Sequence, residues 1–383
     1  MDNLTKRILI SAGELSGDMH AADLVKSVKK MTPNAKFYGM GGDLMQKAGV
    51  ELIIDANKLS IIGGLEIITK FAKIWQALRI MKQAILRDKP DLLLLVDYPG
   101  FNLRLAKIAK KAGIKVLYFI SPKVWAWNQG RVKIIKECVE MMAVIFPFEV
   151  AFYQKWQVPV KFVGNPLLKL VSPKLYVTEA RKLFKLDPNC KTIGLFPGSR
   201  LSEIKRLLPI MLKAAKILKE HRPDTQFLLS QASSIADKDL QPYLRSSAIN
   251  MQVITDKNYD VMQVCDAIIA ASGTTTLEIA LMGIPLVIIY KMSWPEAKIA
   301  KHLIKIPFIG LCNILPNRKI AQELLQDDAT PEKISQEIEK ILSDDSYRHE
   351  MISNLKGVKN LLANKEADDI SMITLKMIGW VPH

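Results

Sequence analysis

Two short segments in the second half of the chain carry residue types that bind phosphate groups. Phe196-Pro197-Gly198-Ser199-Arg200 completes one short apolar run, and Ser272-Gly273-Thr274-Thr275 follows another at 267–271. Each run has the length and composition of a buried parallel strand, which places the next residues at the carboxyl edge of a sheet. At the second segment, serine, glycine and threonine predict a helix start whose amides face outward. Such a helix start attracts pyrophosphate without a metal.

Two side chains extend this phosphate site towards a whole nucleotide. Arg200 offers a planar fork of donors that suits phosphate oxygens, and Glu278, one turn into the second helix, is placed to accept both hydroxyls of a ribose. Taken singly, each segment is also typical of an ordinary turn and helix cap. The presence of both in one half of the chain favours a site for a nucleotide sugar.

One aspartate is a candidate general base. Asp97 follows the run Leu92-Leu93-Leu94-Leu95-Val96, so its carboxylate emerges at the end of a very apolar strand, where partial desolvation favours proton abstraction. A helix cap or a turn before Pro99 is the alternative role. The loop after the first strand has three polar residues that are candidates to hold a hydroxyl-bearing substrate, with helix capping as the alternative for each: Glu14, Ser16 and Asp18.

Motifs of several other chemistries do not occur in the sequence. There is no P-loop, GxGxxG fingerprint, HExxH element or GxSxG element. Asp237-Lys238-Asp239 has the form of a metal-binding DxD motif, but it does not follow a buried strand, and we interpret it as a helix N-terminus. The five histidines lack metal-ligand spacing and the four cysteines form no CxxC pair. We therefore expect no metal, no cofactor and a reducing cytoplasm.

Apolar runs alternate with helical patterns along the whole chain. Strands are predicted at 7–11, 36–38, 92–96, 115–120, 160–163, 192–196, 226–230, 251–254, 267–271 and 285–290. This alternation predicts an α/β fold with parallel sheets, and 383 residues suit two domains. We expect two Rossmann-like lobes facing across a cleft, at 1–170 and 171–365, with a polar hinge near Pro173. A terminal helix at 366–383 is expected to pack back on the first lobe.

The net charge indicates an anionic partner. Lys and Arg total 54 against 38 Asp and Glu, a formal charge of +16. Nucleic acid is disfavoured because the sequence lacks an RNP-type motif, a zinc finger and a basic–aromatic run. Between Leu59 and Arg87, apolar residues recur at helical spacing with cations between them, which predicts a helix that dips into an anionic monolayer. Its expected membrane contacts are Ile68, Phe71, Trp75 and Leu78. An amphipathic helix packed on its own sheet is the alternative, and no run of 18 apolar residues predicts a spanning segment.

Five motifs make the chain resemble the lipid-A-disaccharide synthase family. In chain order they are the segments at 12–18 (AGELSGD), 121–127 (SPKVWAW), 146–149 (FPFE), 197–200 (PGSR) and 272–278 (SGTTTLE). They stand in the family's order and spacing, the resemblance covers nearly the whole chain, and the motif with two tryptophans is highly specific.

The resemblance implies a GT-B glycosyltransferase of lipopolysaccharide synthesis in a Gram-negative cell. Such an enzyme transfers 2,3-diacylglucosamine, with inversion, from its UDP derivative to 2,3-diacylglucosamine 1-phosphate, and the product is the β-1,6-linked disaccharide of lipid A. It implies a peripheral protein on the cytoplasmic face of the inner membrane, and a homodimer is left open. It also assigns roles: Asp97 is the base, Glu14 and Ser16 bind on the acceptor side, and Arg200, Glu278 and Asn313 belong to the UDP-sugar side.

Three positions depart from the family's pattern. Asn165 stands where His is usual, Lys169 where Asp is common, and Ala21 where Gly is usual. The first two concern the hinge loop, and an altered acyl preference is one consequence left open. Two other functions also stay open: another GT-B enzyme, such as a peptidoglycan N-acetylglucosaminyltransferase or a UDP-N-acetylglucosamine 2-epimerase, and a non-catalytic module that binds a UDP-sugar or lipid.

Overall fold

The computed structural model describes residues 5–57, 67–247, 249–294, 298, 306–363 and 367–380, with the backbone alone at 67–71. The chain divides into two compact units. Unit 1 comprises residues 1–166 with 364–383, and unit 2 comprises residues 167–363. Each unit is built on one parallel sheet, as the alternation of apolar runs predicts.

Unit 1 contains seven strands and the helices that connect and cover them. The strands are β1 (Arg7–Ala12), β2 (Lys36–Gly41), β3 (Glu51–Asp55), β4 (Leu92–Val96), β5 (Val116–Phe119), β6 (Met141–Val144) and β7 (Val160–Phe162). The described helices are α1 (Leu15–Met31), α2 (Asp43–Lys47), α3 (Ile67–Asp88), α4 (Pro99–Lys111), α5 (Arg131–Cys138), α6 (Pro147–Lys155) and, from the C-terminal segment, α16 (Ile370–Met377). The helix α16 packs against α1 and buries Leu375 in the core of the unit.

The centre of this sheet explains why its polar loops gather at one place. The strand order is β3-β2-β1-β4-β5-β6-β7, so the order reverses between β1 and β4, which pair in parallel with Ala12 beside Val96. All five residues of β4 are buried because helices cover both faces of the sheet. In open parallel sheets, ligands bind outside the carboxyl ends of the strands at such a switch point. Glu14 and Asp97 follow these two strands.

Unit 2 repeats the arrangement with six strands. They are β8 (Lys191–Phe196), β9 (Thr225–Gln231), β10 (Met251–Thr255), β11 (Ala267–Ala271), β12 (Leu286–Tyr290) and β13 (Gln322–Leu325). The described helices are α7 (Leu167–Leu170), α8 (Val177–Leu183), α9 (Leu201–His221), α10 (Asp237–Arg245), α11 (Asn258–Val264), α12 (Thr274–Met282), α13 (Leu311–Ile314), α14 (Pro331–Ser343) and α15 (Asp345–Leu362). The order β10-β9-β8-β11-β12-β13 reverses between β8 and β11, and the two phosphate-type segments follow these strands.

All ten predicted strands are present within a few residues of their expected bounds. Three further strands, β3, β6 and β13, were not predicted. Asp237 begins α10, which confirms the interpretation of Asp237-Lys238-Asp239 as a helix N-terminus. Part of the expected hinge forms the short helix α7. Among the helices of the described ranges, none is long and apolar enough to cross a bilayer.

Candidate functional site

Asp97 lies in a strained turn between β4 and α4. Asp97 and Tyr98 have φ angles of 46° and 48°, in the left-handed region that two consecutive residues with side chains rarely occupy. The Asp97 amide donates to the Phe119 carbonyl at 3.0 Å, and the Asn102 amide donates to the Tyr98 carbonyl at 3.0 Å. Strain of this kind persists where the surrounding structure fixes it, and it concentrates at functional sites.

Buried side chains hold the Asp97 carbonyl from two directions. Asn102 Nδ2 and the Tyr118 hydroxyl each donate to it at 2.7 Å. Asn102 Oδ1 in turn accepts the Ser11 hydroxyl at 2.7 Å, which connects the turn to β1. No motif in the sequence marks Ser11, Asn102 or Tyr118. They could have been found as polar side chains within or beside an otherwise apolar strand or helix face, because a buried polar atom needs a hydrogen-bond partner.

Burial, the larger cause, and the negative charge of Glu14 together raise the pKa of the Asp97 carboxyl to about 6, against the opposing effects of the Tyr98 amide and the Lys123 ammonium. A carboxyl with a pKa near 6 is largely deprotonated at pH 7 and is still basic enough to accept a proton in a transition state. The environment of Asp97 therefore suits a general base.

The loop after β1 lies against the Asp97 turn. A Cβ at Gly13 would collide with the Tyr98 ring, so only glycine fits where the two loops meet. Glu14 and Ser16 follow and are exposed. Asp18, by contrast, is buried, and its carboxylate accepts the amides of residues 42, 44 and 45 at 2.7–3.2 Å. Asp18 therefore caps α2, and its predicted role on the acceptor side stays a prediction.

The two tryptophans of the segment at 121–127 have different environments. Trp125 is buried and its Nε1 donates to Glu149 at 3.1 Å. Burial raises the pKa of Glu149 to about 8, against the bonds from the Phe146 amide and Trp125. Trp127 is exposed, and the Arg131 guanidinium lies 5.2 Å from its ring centroid. Glu149, in the 146–149 motif, therefore holds Trp125 in the interior, whereas Trp127 lies at the surface.

In unit 2, the helix start after β11 has no side-chain cap among the residues that the structure describes. Gly273 occupies the N-cap position of α12 with an extended backbone, and a Cβ there would meet no described atom within 4 Å. Ser272 Oγ donates to the Ile309 carbonyl at 3.1 Å, and Thr276 Oγ1 accepts the Leu311 amide at 3.1 Å. Within the described part of the chain, the Thr274 and Thr275 end of α12 therefore presents an uncapped positive dipole end.

Glu278 lies one turn further along α12. Its Oε1 accepts the Tyr259 hydroxyl at 3.0 Å. Burial raises the pKa of Glu278, while hydrogen bonds from Tyr259 and Thr275 lower it. A partly buried carboxylate fixed in this way is suited to accept hydroxyl groups of a ligand.

The segment after β8 is closed by its own glutamate. The Ser199 and Arg200 amides donate to Glu203 Oε2 at 3.0 and 3.2 Å, and Arg200 pairs with Glu203 Oε1 at 3.3 Å. Gly198 has a φ of 106°, and a Cβ there would collide with the Glu203 carboxylate. The side chain of Arg200 is 78% exposed. The Ser199 and Arg200 amides are therefore already bonded to Glu203, whereas the Arg200 guanidinium is largely exposed. Phosphate binding by Gly198, Ser199 and Arg200 stays a prediction.

Asn313 is fully buried with all four of its hydrogen-bonding positions in use. Oδ1 accepts the Ile320 and Ala321 amides at 2.8 and 2.9 Å, and Nδ2 donates to the Ala321 carbonyl at 2.9 Å and to Glu323 Oε1 at 2.8 Å. The side-chain hydrogen-bonding positions of Asn313 are therefore occupied by partners within unit 2, and its predicted place on the UDP-sugar side stays a prediction.

The residues expected to contact the membrane differ in how exposed their side chains are. Trp75 is 63% exposed, whereas Leu78 is 9% exposed and packs in the core of unit 1. Membrane contact by either residue stays a prediction. The side chains of Ile68 and Phe71 lie outside the described residues. At the two family departures in the hinge region, Asn165 is buried and donates to the Ile145 carbonyl at 3.3 Å, and Lys169 is exposed.

Comparison with known proteins agrees with the motifs. A family model described as lipid-A-disaccharide synthetase matches residues 8–375. The chain is 47% identical over 375 residues to the lipid-A-disaccharide synthase of Geobacter metallireducens, which covers 98% of each chain.

Solved structures with little sequence similarity share the fold. A UDP-GlcNAc 2-epimerase from Neisseria meningitidis, bound to UDP-GlcNAc, matches 97% of this chain and 99% of its own with a TM-score of 0.60 and 14% identity. CalG4, the calicheamicin glycosyltransferase, matches 99% and 100% with a TM-score of 0.59 and 12% identity. The GT-B-like class predicted for the two parallel-sheet units is thereby confirmed.

Proposed function

The chain belongs to the lipid-A-disaccharide synthase family, a glycosyltransferase family of lipid A biosynthesis, and on that premise we propose its substrates and the roles of its residues. The donor is UDP-2,3-diacylglucosamine, the acceptor is 2,3-diacylglucosamine 1-phosphate, and the products are the β-1,6-linked disaccharide 1-phosphate and UDP. The observation that carries the chemical part is the Asp97 turn, a strained and partly desolvated carboxylate at a sheet switch point. The epimerase alternative rests on shared fold alone, at 14% identity.

Asp97 acts as the general base in this proposal. Its carboxylate accepts the proton of the acceptor 6-hydroxyl while that oxygen bonds to the anomeric carbon of the donor. The bond from the anomeric carbon to the UDP oxygen breaks on the opposite face, so the configuration inverts. The bonds from Asn102 and Tyr118 fix the backbone of Asp97 and thereby limit the positions of its carboxylate. Exposed Glu14 and Ser16, in the adjoining loop, are placed to bind acceptor hydroxyls.

The departing diphosphate is stabilised by α12 and Arg200 in this proposal. Negative charge grows on UDP as the glycosidic bond breaks, and the uncapped amides at Thr274 and Thr275 are oriented before that charge develops. Arg200 is paired with Glu203, but exposed ion pairs contribute little, so the guanidinium can turn to a diphosphate at small cost. Glu278 is assigned to the ribose hydroxyls. This arrangement needs no metal for the leaving group.

The helix α3 is the proposed contact with an anionic membrane. Exposed Trp75 borders a cavity of about 660 Å³ that is also lined by Leu78, Arg79, Lys82 and Ile108. A tryptophan beside cations suits the interface between lipid headgroups and acyl chains. Both proposed substrates carry acyl chains, which the membrane would hold.

Sedimentation with vesicles tests this contact. Binding of the protein to phosphatidylglycerol-containing vesicles should fall for Trp75→Ala and at high salt. Equal binding to pure phosphatidylcholine vesicles would contradict the proposed contact.

Product analysis tests the reaction and the base together. Mass spectrometry after mixing the protein with both substrates should show the disaccharide 1-phosphate and UDP. Asp97→Asn, which keeps the side-chain size, should lower turnover by about 10²–10⁴-fold while UDP still binds. Asp91→Asn is the matched control, because Asp91 stands at the other end of β4, where it accepts the Arg7 amide at 2.8 Å. Near-normal turnover of Asp97→Asn with saturating donor would refute the assignment.

A further inference from the structure

A glutamate on the edge strand of unit 2 holds a distant loop. Glu323 Oε1 accepts the Gly310 amide at 2.9 Å, and Oε2 accepts the Ile309 amide at 3.0 Å. The pairing of β13 with β12 uses the backbone, with Glu323 beside Ile288. The carboxylate is therefore not needed for the sheet, and its hydrogen bonds serve the turn at 309–313.

That turn is bonded directly to the start of α12. The Ile309 carbonyl accepts the Ser272 hydroxyl, and the Leu311 amide donates to Thr276 Oγ1, each at 3.1 Å. A side chain at Gly310 would collide with Ile288, so the turn can approach the sheet this closely only with glycine there. One continuous chain of hydrogen bonds therefore runs from β13 through the turn to the residues on either side of Gly273.

Asn313 completes this chain from within the turn. Its Nδ2 donates to Glu323 Oε1 at 2.8 Å, and its Oδ1 accepts the Ile320 and Ala321 amides just before β13. Asn313 and Glu323 thus close a small ring of bonds between the turn and the edge strand. A part-buried network of this kind, with Asn313 itself fully buried, holds one geometry and tolerates the loss of a member poorly.

We propose that Glu323, acting with Asn313, is a positioning residue for the diphosphate site: it fixes the turn at 309–313, which in turn fixes Ser272 and Thr276 around the open amides of α12. Glu323 does not touch the donor in this scheme. The inference rests on the proposed function, because it takes the start of α12 to be the place where the donor diphosphate binds. Oriented donors stabilise a developing charge only if they keep their positions during the reaction.

Two substitutions at Glu323 and one matched control test the proposal in the full-length protein. Glu323→Ala removes all the carboxylate bonds, whereas Glu323→Gln keeps an oxygen that can accept from the turn. Glu337→Ala is the control, since Glu337 accepts the Tyr347 hydroxyl in the same unit and has no hydrogen bond to the turn. UDP affinity is measured by calorimetry, and KM is measured separately for the donor and the acceptor sugar.

Glu323→Ala should weaken UDP binding at least tenfold and raise the donor KM, with the acceptor KM unchanged, and Glu323→Gln should recover part of the loss. Wild-type UDP affinity in Glu323→Ala, or a fall in apparent kcat that matches the loss of folded protein with both KM values unchanged, would overturn the inference, because a merely structural role reduces only the folded fraction. If Glu323→Ala does not fold, Ser272→Ala gives the same test at the other end of the chain of bonds. A wild-type protein that does not bind UDP would instead refute the proposed function itself.

Discussion

The helix starts after β8 and β11 look alike in sequence and differ in what their amides do. Both have a glycine followed by hydroxyl residues, and both have a glutamate five residues after the glycine, at 203 and 278. Glu203 folds back and accepts the amides of Ser199 and Arg200. Glu278 accepts the hydroxyl of Tyr259 instead, and no side chain in the described part of the chain caps the amide end of α12.

The backbone at the glycine accounts for this difference. Gly198 has a φ of 106°, which turns the loop back over its own helix and brings its amides to the Glu203 carboxylate. Gly273 has a φ of 163°, an ordinary extended conformation, with open space where a Cβ would stand. A glycine required for backbone shape and a glycine that leaves room for a ligand are therefore indistinguishable in the sequence. They respond differently to substitution.

Alanine substitutions at Gly198 and Gly273 should distinguish the two helix starts most strongly. Gly198→Ala forces a side chain into a left-handed backbone and against Glu203, so we expect a loss of about 2 kcal/mol of unfolding free energy. Gly273→Ala should change stability by less than about 1 kcal/mol and weaken UDP binding about tenfold, because the methyl group occupies the ligand's approach. Chemical denaturation and calorimetry measure the two effects. Equal stability losses with equal UDP affinities would remove the distinction.

Removal of the Glu278 carboxylate should show whether this residue contacts the ribose or only supports the helix. Glu278→Ala should weaken UDP binding by about tenfold, but should weaken the binding of 2′,3′-dideoxy-UDP much less, because the lost partner is a ribose hydroxyl. Paired titrations of both nucleotides measure this difference. The same loss for the two nucleotides would show that Glu278 supports the helix and does not contact the ribose.

Asp97, in unit 1, is a carboxylate whose charge state is expected to control turnover, unlike the two glutamates of unit 2. Because its pKa is raised to about 6, turnover should fall as the pH drops through 6 and the base becomes protonated. Glu14→Gln removes a negative neighbour and should move this limb to lower pH, and Lys123→Met should move it to higher pH. Each shift should be less than about one unit, since burial is the larger cause. A pH profile of kcat/KM that does not move in either variant would contradict the assignment.

Glu203→Gln should give the smallest change, in the opposite direction. The amide side chain can still accept the Ser199 and Arg200 amides, but it no longer competes with a diphosphate for the Arg200 guanidinium. We expect UDP to bind about two- to threefold more tightly, with the gain reduced at high salt. Weaker binding of UDP to this variant would mean that the Glu203 charge orients Arg200 for the ligand.

The sequence predicts the sheets well because long apolar runs between turn residues leave few other structures. The strands β3 and β13 were missed because they contain polar residues, and β6 because no glycine or proline separates Met141–Val144 from the helix that ends at Cys138. The positions of Asp97, Glu14 and Ser272 follow from predicted strands, because these residues come just after β4, β1 and β11. The hydrogen bonds of Glu203 are local, to amides three and four residues earlier in the chain. Those of Asp18 and Asn313 cannot be predicted in this way, because each depends on amides that folding brings close from other segments. Hydrogen-bond partners of this kind leave no periodic signal in the sequence.

Backbone amide resonances, observed by NMR during a titration with UDP, test the central claim most directly. The largest shifts should fall on Thr274 and Thr275, the open amides of α12, and should saturate with the affinity measured by calorimetry. The Ser199 and Arg200 amides, which Glu203 already holds, should move less. Large shifts at Ser199 and Arg200 with none at Thr274 and Thr275 would place the diphosphate at the other helix start and contradict the account.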